Sequence, residues 1–213
     1  MPEIFLCQPD NQKGCSVCCG LFNLQDISKK NLSAFLKTEE KSKFLKTVRD
    51  LTTYSCLSQK FIKENKPGCS LVPEKENGKN FRSFSFYGEK ICADFYCPAY
   101  SILNSKEQFF LVSCLDDWYL YSIAILDPES FIWIIKKITA KISFDSNLLK
   151  PILAVILDLH AKFLQRIKGP LFFFSCSEYN FHKEKFSLLA GSSPQINKHK
   201  KNILSQMNFL TSN

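Results

Sequence analysis

Apolar residues recur at helical spacing through much of the chain, and the polar residues between them set the expected boundaries. Leu32, Phe35 and Leu36 share one face of a helix that Asp26 or Ser28 can cap by accepting its first free amides. Phe44, Leu45, Val48 and Leu51 repeat that spacing after Thr38-Glu39-Glu40, as a second helix or a continuation of the first. Lys66-Pro67-Gly68 and Glu76-Asn77-Gly78-Lys79 are rich in turn residues and read as loop. Ser83-Phe84-Ser85-Phe86 alternates polar and apolar as a half-buried strand does, and Gly88 offers a turn before Ile91.

Beyond residue 104 the pattern is mainly helical. Ser105 with Gln108 forms a capping box ahead of Phe109 and Phe110. Asp127-Pro128-Glu129 starts a helix through a capping carboxylate, a proline that needs no amide partner and an acid at the positive end of the dipole. Ile132, Trp133, Ile135 and Ile138 follow it. A further helix is expected from Asn147 to Lys168, with Ile152, Ile156, Leu159, Phe163 and Ile167 in one stripe and Gly169 closing it. After Pro170, Leu171-Phe172-Phe173-Phe174 reads as a short buried strand or core segment, and a last amphipathic helix runs from Ile196 to Leu210. The expected fold is therefore mainly α with a small β element. An irregular cysteine-rich module over residues 1–104 precedes a mainly helical part over 105–213 that packs on it.

Composition supports a folded chain. Of 213 residues, 45% are hydrophobic and 14% aromatic, including 20 Phe, which is enough to bury a sizeable core. The net charge of +8 could draw nucleic acid or anionic lipid, but the excess is spread along the chain and its densest run is only Lys198-His199-Lys200-Lys201. No nucleic-acid-binding motif accompanies it, so a solubilising surface is the preferred reading. The opening Met1-Pro2-Glu3-Ile4-Phe5-Leu6-Cys7 lacks a basic stretch and turns polar at Gln8, unlike a secretory signal. Asp116 and Asp117 interrupt the apolar run from Phe109 to Leu126. Pro151 to Leu159 is too short for a hydrocarbon core of roughly 30 Å. A cytoplasmic location with no membrane partner is the expectation.

Cysteine changes the picture most. Cys7, Cys15, Cys18, Cys19, Cys56, Cys69, Cys92 and Cys97 precede residue 100, and only Cys114 and Cys176 follow it. In a reducing compartment such a set points to metal ligands or buried thiols rather than disulfides. Within Gly14-Cys15-Ser16-Val17-Cys18-Cys19-Gly20, two cysteines separated by two residues can turn both sulfurs toward one ion across a tight knuckle. Gly14 and Gly20 would relieve the strain of that curl. Cys19, adjacent to Cys18, would serve a second metal, a cluster or the core. Cys56, Cys69, Cys92 and Cys97 supply further thiolates, enough for one tetrahedral zinc site or iron–sulfur cluster with spares, or for two sites. Cys114 and Cys176, in apolar surroundings, read as small buried hydrophobes.

Gly14 to Gly20, Leu24-Gln25-Asp26-Ile27-Ser28, Cys56-Leu57, Gly68-Cys69-Ser70-Leu71-Val72-Pro73, Phe81-Arg82-Ser83-Phe84 and the stretch Cys92 to Cys97-Pro98 occur in an order that resembles a bacterial cysteine-rich family, the zinc- or iron-chelating YkgJ-like proteins. The resemblance covers roughly residues 7–104 and implies metal binding while leaving activity open. Phe81 stands where the family has a cysteine before its arginine, and the Arg-Pro pair is missing. Either Cys92 or Cys97 supplies the displaced thiolate or the site has one ligand fewer. Arg82 matches the family's arginine, which could donate hydrogen bonds to a thiolate or a bound anion, or simply lie on the surface.

The remaining chemistry is sparse. His182 reads as a surface or core histidine, while His160 on the long helix and His199 in the basic tail lack ligand spacing. Asp94, Asp116 and Asp117 have nothing to place them together, and no phosphate loop, nucleophile elbow or HExxH occurs. Catalysis has no positive sequence support. The leading expectation is a cytosolic protein binding zinc or iron through Cys15, Cys18, Cys19, Cys56, Cys69, Cys92 and Cys97, with the metal stapling a half that has few other core elements. The alternatives are an iron–sulfur redox enzyme, or an RNA- or protein-binding module with a structural metal.

Overall fold

A computed structural model describes residues 4–40, 55–71, 81–85, 88, 92, 97, 99–143, 147–167 and 188–212. Among them the chain is mainly helical with one two-stranded antiparallel sheet, the expected class. They fall into two compact units, one within residues 5–97 and the other built from Ile4 and described residues between 99 and 212.

The first unit holds helix α1 (Lys29–Lys37) and strands β1 (Gln59–Lys63) and β2 (Lys66–Cys69). Ser28 caps α1, its hydroxyl accepting from the Asn31 amide, and Leu32, Phe35 and Leu36 form the buried face. Lys66-Pro67-Gly68 is strand rather than loop. Gln59 pairs with Cys69, Lys60 with Gly68 and Phe61 with Pro67, and the turn falls earlier, where Asn65 takes a left-handed φ of 56°. A sheet of two strands has only edges, so Pro67 can pair despite lacking an amide. The alternating segment at Ser83 is also not a strand: Arg82–Phe84 forms one turn of 3-10 helix, and Phe84 is exposed. Four alternating residues are too short to fix a period against a local turn. The expected helix through Phe44 to Leu51, the loop at Glu76–Lys79, Phe86 and the apolar segment Leu171–Phe174 lie outside the described residues.

This half has more core than the cysteine skew suggests. Leu6, Val17, Leu21, Phe22, Leu24, Ile27, Leu32, Phe35 and Leu36 are all buried. At about 1.5–3 kcal/mol for each fully buried large apolar side chain, that cluster is a substantial stabilising term of its own.

The second unit contains α2 (Ala99–Ile102), α3 (Ser105–Cys114), α4 (Trp118–Leu126), α5 (Pro128–Thr139), α6 (Leu149–Ile167) and α7 (Pro194–Thr211). The capping box of α3 sits one residue earlier than expected. Asn104 accepts from the amides of Lys106 and Glu107, and the Glu107 carboxylate accepts from the Asn104 amide. Asp117 caps α4, which is buried almost all round and so acts as the central helix of the unit. Asp127 caps α5 with Pro128 in its first turn, as the sequence pattern demands. The buried stripe of α5 is Phe131, Ile134 and Ile138, rotated from the expected one so that Ile132, Trp133 and Ile135 are only half-buried. On α6, Ile152, Ile156 and Phe163 are buried, and α7 buries His199, Ile203 and Met207.

Candidate metal centre

Backbone geometry brings several of the cysteines onto common scaffolding. The Asp10 carboxylate accepts from the amides of Gln12 and Lys13 and pairs with the Lys13 ammonium, closing the loop between Cys7 and Cys15. Burial pushes the Asp10 carboxyl up, but the Lys13 bonds and charge outweigh it and hold it below the ordinary carboxylate range. At the base of that loop the Cys15 amide donates to the Cys7 carbonyl at 2.8 Å. The loop is tied to β2 by the Lys66 ammonium, which donates to the Asp10 carbonyl at 2.7 Å. Gly14 approaches Pro67 so closely that an added Cβ would lie 2.2 Å from its carbonyl oxygen.

The knuckle itself is a tight coil. The Gly20 amide donates to the Val17 carbonyl, Gly20 adopts a left-handed φ of 81°, and a single 3-10 turn, Leu21–Asn23, follows. Both flanking glycines are therefore used, Gly20 for its conformation and Gly14 for close approach. From the far side of the knuckle, the Cys56 amide donates to the Cys19 carbonyl at 2.9 Å. The buried Gln59 amide group donates to the carbonyls of Cys19 and Cys56, at 2.7 and 2.9 Å. The Gln59 backbone also pairs with Cys69 across the sheet, so one residue links to Cys19 and Cys56 through its side chain and to Cys69 through its strand.

Two sulfurs share the same local contact. Cys15 Sγ accepts the Val17 amide and Cys69 Sγ accepts the Leu71 amide, each at 3.4 Å and each two residues downstream. An amide aimed at sulfur favours its anionic, ligating form. Lys13 and Lys66, nearly fully buried in the same loop and strand, add positive charge to a region that would have to hold thiolates. Thiolate sulfurs are soft donors, of the kind that zinc and iron take. Cys18 is half-buried in the knuckle. Cys92 is fixed by its own contacts: Arg82 donates to its carbonyl at 3.2 Å and the Ser85 hydroxyl lies 3.2 Å from its sulfur. Cys97 is buried, and Cys176 lies outside the described residues. Among the described residues, no group of three or more His, Cys, Asp or Glu side chains is gathered so as to hold a metal ion. Cys114, at the end of α3, is half-buried, and burial pushes its thiol above the ordinary range, so it stays protonated.

The second unit contains a polar arrangement that the sequence pattern did not indicate. His160 of α6 and His199 of α7, 39 residues apart, join Asp127 in a buried chain. His160 Nε2 is 3.1 Å from Asp127 Oδ2, and His160 Nδ1 is 3.2 Å from His199 Nε2. Phe163 stacks on the His199 ring with centroids 3.9 Å apart. The other Asp127 oxygen accepts from the amides of Ser130 and Leu188, and the Ser130 hydroxyl accepts from the Leu189 amide at 2.9 Å. A usable signal was present: His160 falls between Ile156 and Phe163 on the apolar stripe of α6, and His199 falls four residues before Ile203 on that of α7. A polar residue on the apolar face of each of two helices needs a buried partner.

Comparison with family models, with curated proteins and with solved structures finds no match to this chain. Among the described residues no helix is long and apolar enough to cross a membrane.

Proposed function

We propose that the unit within residues 5–97 binds zinc or iron through thiolates of its N-terminal cysteines. Cys15 and Cys69 are the central donors, Cys18, Cys19 and Cys56 lie on the same scaffold, and Cys92 and Cys97 complete the candidate set. The observation that carries this reading is the matched pair of amide–sulfur contacts at Cys15 and Cys69, on two segments that Gly14 and Pro67 bring into van der Waals contact. Support also comes from the spacing of the CxxCC knuckle and from its resemblance to the YkgJ-like chelating proteins. Arg82, held on the Cys92 carbonyl, acts on this reading by positioning Cys92. The reading implies a reducing, cytoplasmic setting, in which such thiolates persist.

The test is elemental analysis of protein purified without oxygen, repeated on a Cys15→Ser, Cys69→Ser double variant. Stoichiometric zinc or iron that falls by half or more in the variant is expected. A colourless zinc protein would separate this reading from an iron–sulfur redox protein, whose visible absorption bleaches on reduction. Metal-free protein, with circular dichroism indifferent to added zinc or to chelator, would overturn it.

A further inference from the structure

The Asp127–His160–His199 chain sits in the helical unit, and nothing in the metal-binding reading uses it. Its proton positions follow from chemistry. Asp127 as a carboxylate can only accept, so His160 Nε2 carries the proton between them. A neutral His160 then has a lone pair on Nδ1, so His199 Nε2–H must be the donor in the second bond. Among the described residues, His199 Nδ1 is left holding a lone pair with no hydrogen-bond partner, in a residue only 2% exposed. The chain is complete when both imidazoles are neutral, and the described residues hold no acceptor for one more N–H at its outer end.

The same groups hold the last helix in place. The turn before α7, Leu188–Ala190, is fixed by Asp127 Oδ1 and Ser130 Oγ through the amides of Leu188 and Leu189. Lys200 donates to the Gly191 carbonyl at 2.9 Å, locking that turn to the first half of the helix. His199 then reaches across to His160. The groups facing His199 are His160 and Arg166 from α6, both of which oppose a positive charge on it. The Leu188–Ala190 turn contributes only apolar side chains, Lys198 and Lys200 flank His199 on its own helix, and Asp127 lies beyond His160. Lys162 is turned to the exposed side of α6, paired with Asp158.

We propose that this chain is an acid-operated latch on α7: a proton taken from solvent by His199 Nδ1 opens the contact with α6 and releases the helix from the rest of its unit. The step is imidazole plus H⁺ giving imidazolium, with no other bond made or broken. The closed state offers the new N–H no acceptor and sets the charge near Arg166. The open state lets water solvate the charge.

Hydrogen exchange by mass spectrometry on the full chain, corrected for the intrinsic effect of pH, reads the opening directly. Between pH 7 and pH 5, protection across Pro194–Thr211 should fall roughly tenfold or more, while Ile152–Leu164 of α6 keeps its protection. His199→Phe, which keeps a ring on Phe163 but cannot titrate, should hold α7 protection constant across that range. His199→Gln, which can still donate to His160, should do the same and serves if the first variant folds poorly. Unchanged α7 protection at pH 5 in the natural chain would overturn the proposal. An equal loss in both variants, or loss of protection by all helices together, would overturn it too.

Discussion

Gly14 lies against the carbonyl oxygen of Pro67, and no side chain larger than hydrogen fits between them. This contact brings the loop that ends in the CxxCC knuckle against the hairpin strand that ends at Cys69. A Gly14→Ala substitution puts a methyl carbon 2.2 Å from a backbone oxygen, which cannot swing away as a side chain would. The loop must shift as a body. We expect a loss of about 1–3 kcal/mol, in the range of other overpacked sites, measured by urea denaturation. On the metal-binding reading, Gly14→Ala also weakens metal retention in chelator competition, whereas Gly88→Ala, where nothing lies within 4 Å of the added carbon, does not, even though its φ of 75° makes it somewhat strained.

Gln59 makes the opposite kind of contact, a polar group reaching into the site. Its amide nitrogen donates to the carbonyls of Cys19 and Cys56 and lies 3.3 Å from the Ser55 hydroxyl. Gln59→Ala takes the side-chain donor from the Cys56 carbonyl and leaves the Cys19 carbonyl only the Cys56 amide, and should cost about 1–3 kcal/mol. Gln59→Glu should cost more than alanine despite matching the natural side chain in size, because it sets carboxylate oxygens against carbonyl oxygens. Equal stability of the two variants in denaturant titrations would remove this account of how the knuckle is held.

What could be read from the sequence was what local chemistry decides. Asp127-Pro128 and Ser28 each fix a helix start through groups within three residues, and both positions are occupied as the pattern demands. Lys66-Pro67-Gly68 misled because proline and glycine mark turns on average, yet here the turn belongs to Asn65, and Pro67 is tolerated on an edge. The cap of α3 shifted from Ser105 to Asn104 because two side chains compete for the same amides and only the asparagine pairs with Glu107 at the correct offset. Among the cysteines, spacing identified the knuckle, but Cys19 and Cys56 are joined by a backbone bond and by Gln59, a residue with no place in a cysteine pattern. The partner of each histidine could not be read for a related reason. Neither histidine is near the other in sequence, and each helix alone shows only one polar residue out of place.

Asp127 has three tasks in that second arrangement: it caps α5, accepts from Leu188 and orients His160. Replacing it with alanine removes the cap, worth about 1 kcal/mol. It also leaves a buried imidazole N–H unpaired, at about 1–3 kcal/mol. The combined loss should be about 2–4 kcal/mol and should appear as a lower midpoint in urea. Asp127→Asn keeps the cap and should lose less, but its side-chain amide cannot satisfy both the α5 amide and His160 as well as a carboxylate does. If the asparagine and alanine variants proved equally unstable, the cap would be contributing nothing.

The acid limb of the stability curve should carry two separable contributions. Burial first, then the nearby His160 and Arg166, push the His199 imidazole down to about 3 from an ordinary 6.5. The unfolded chain therefore binds a proton at His199 that the folded chain refuses, and stability is complete above pH 6.5 and falls as pH drops from there toward 3. Asp10 acts lower. Its folded carboxyl is held below the ordinary 3.8, so its stabilisation is complete above that value and is lost only as pH falls further. Urea midpoints measured from pH 7.5 down to pH 3 should decline from about pH 6.5 in the natural chain. His199→Phe should flatten the upper part of that decline and leave the lower part intact, while Asp10→Asn should do the reverse. A His199→Phe curve parallel to that of the natural chain above pH 4 would mean that another group supplies the acid sensitivity.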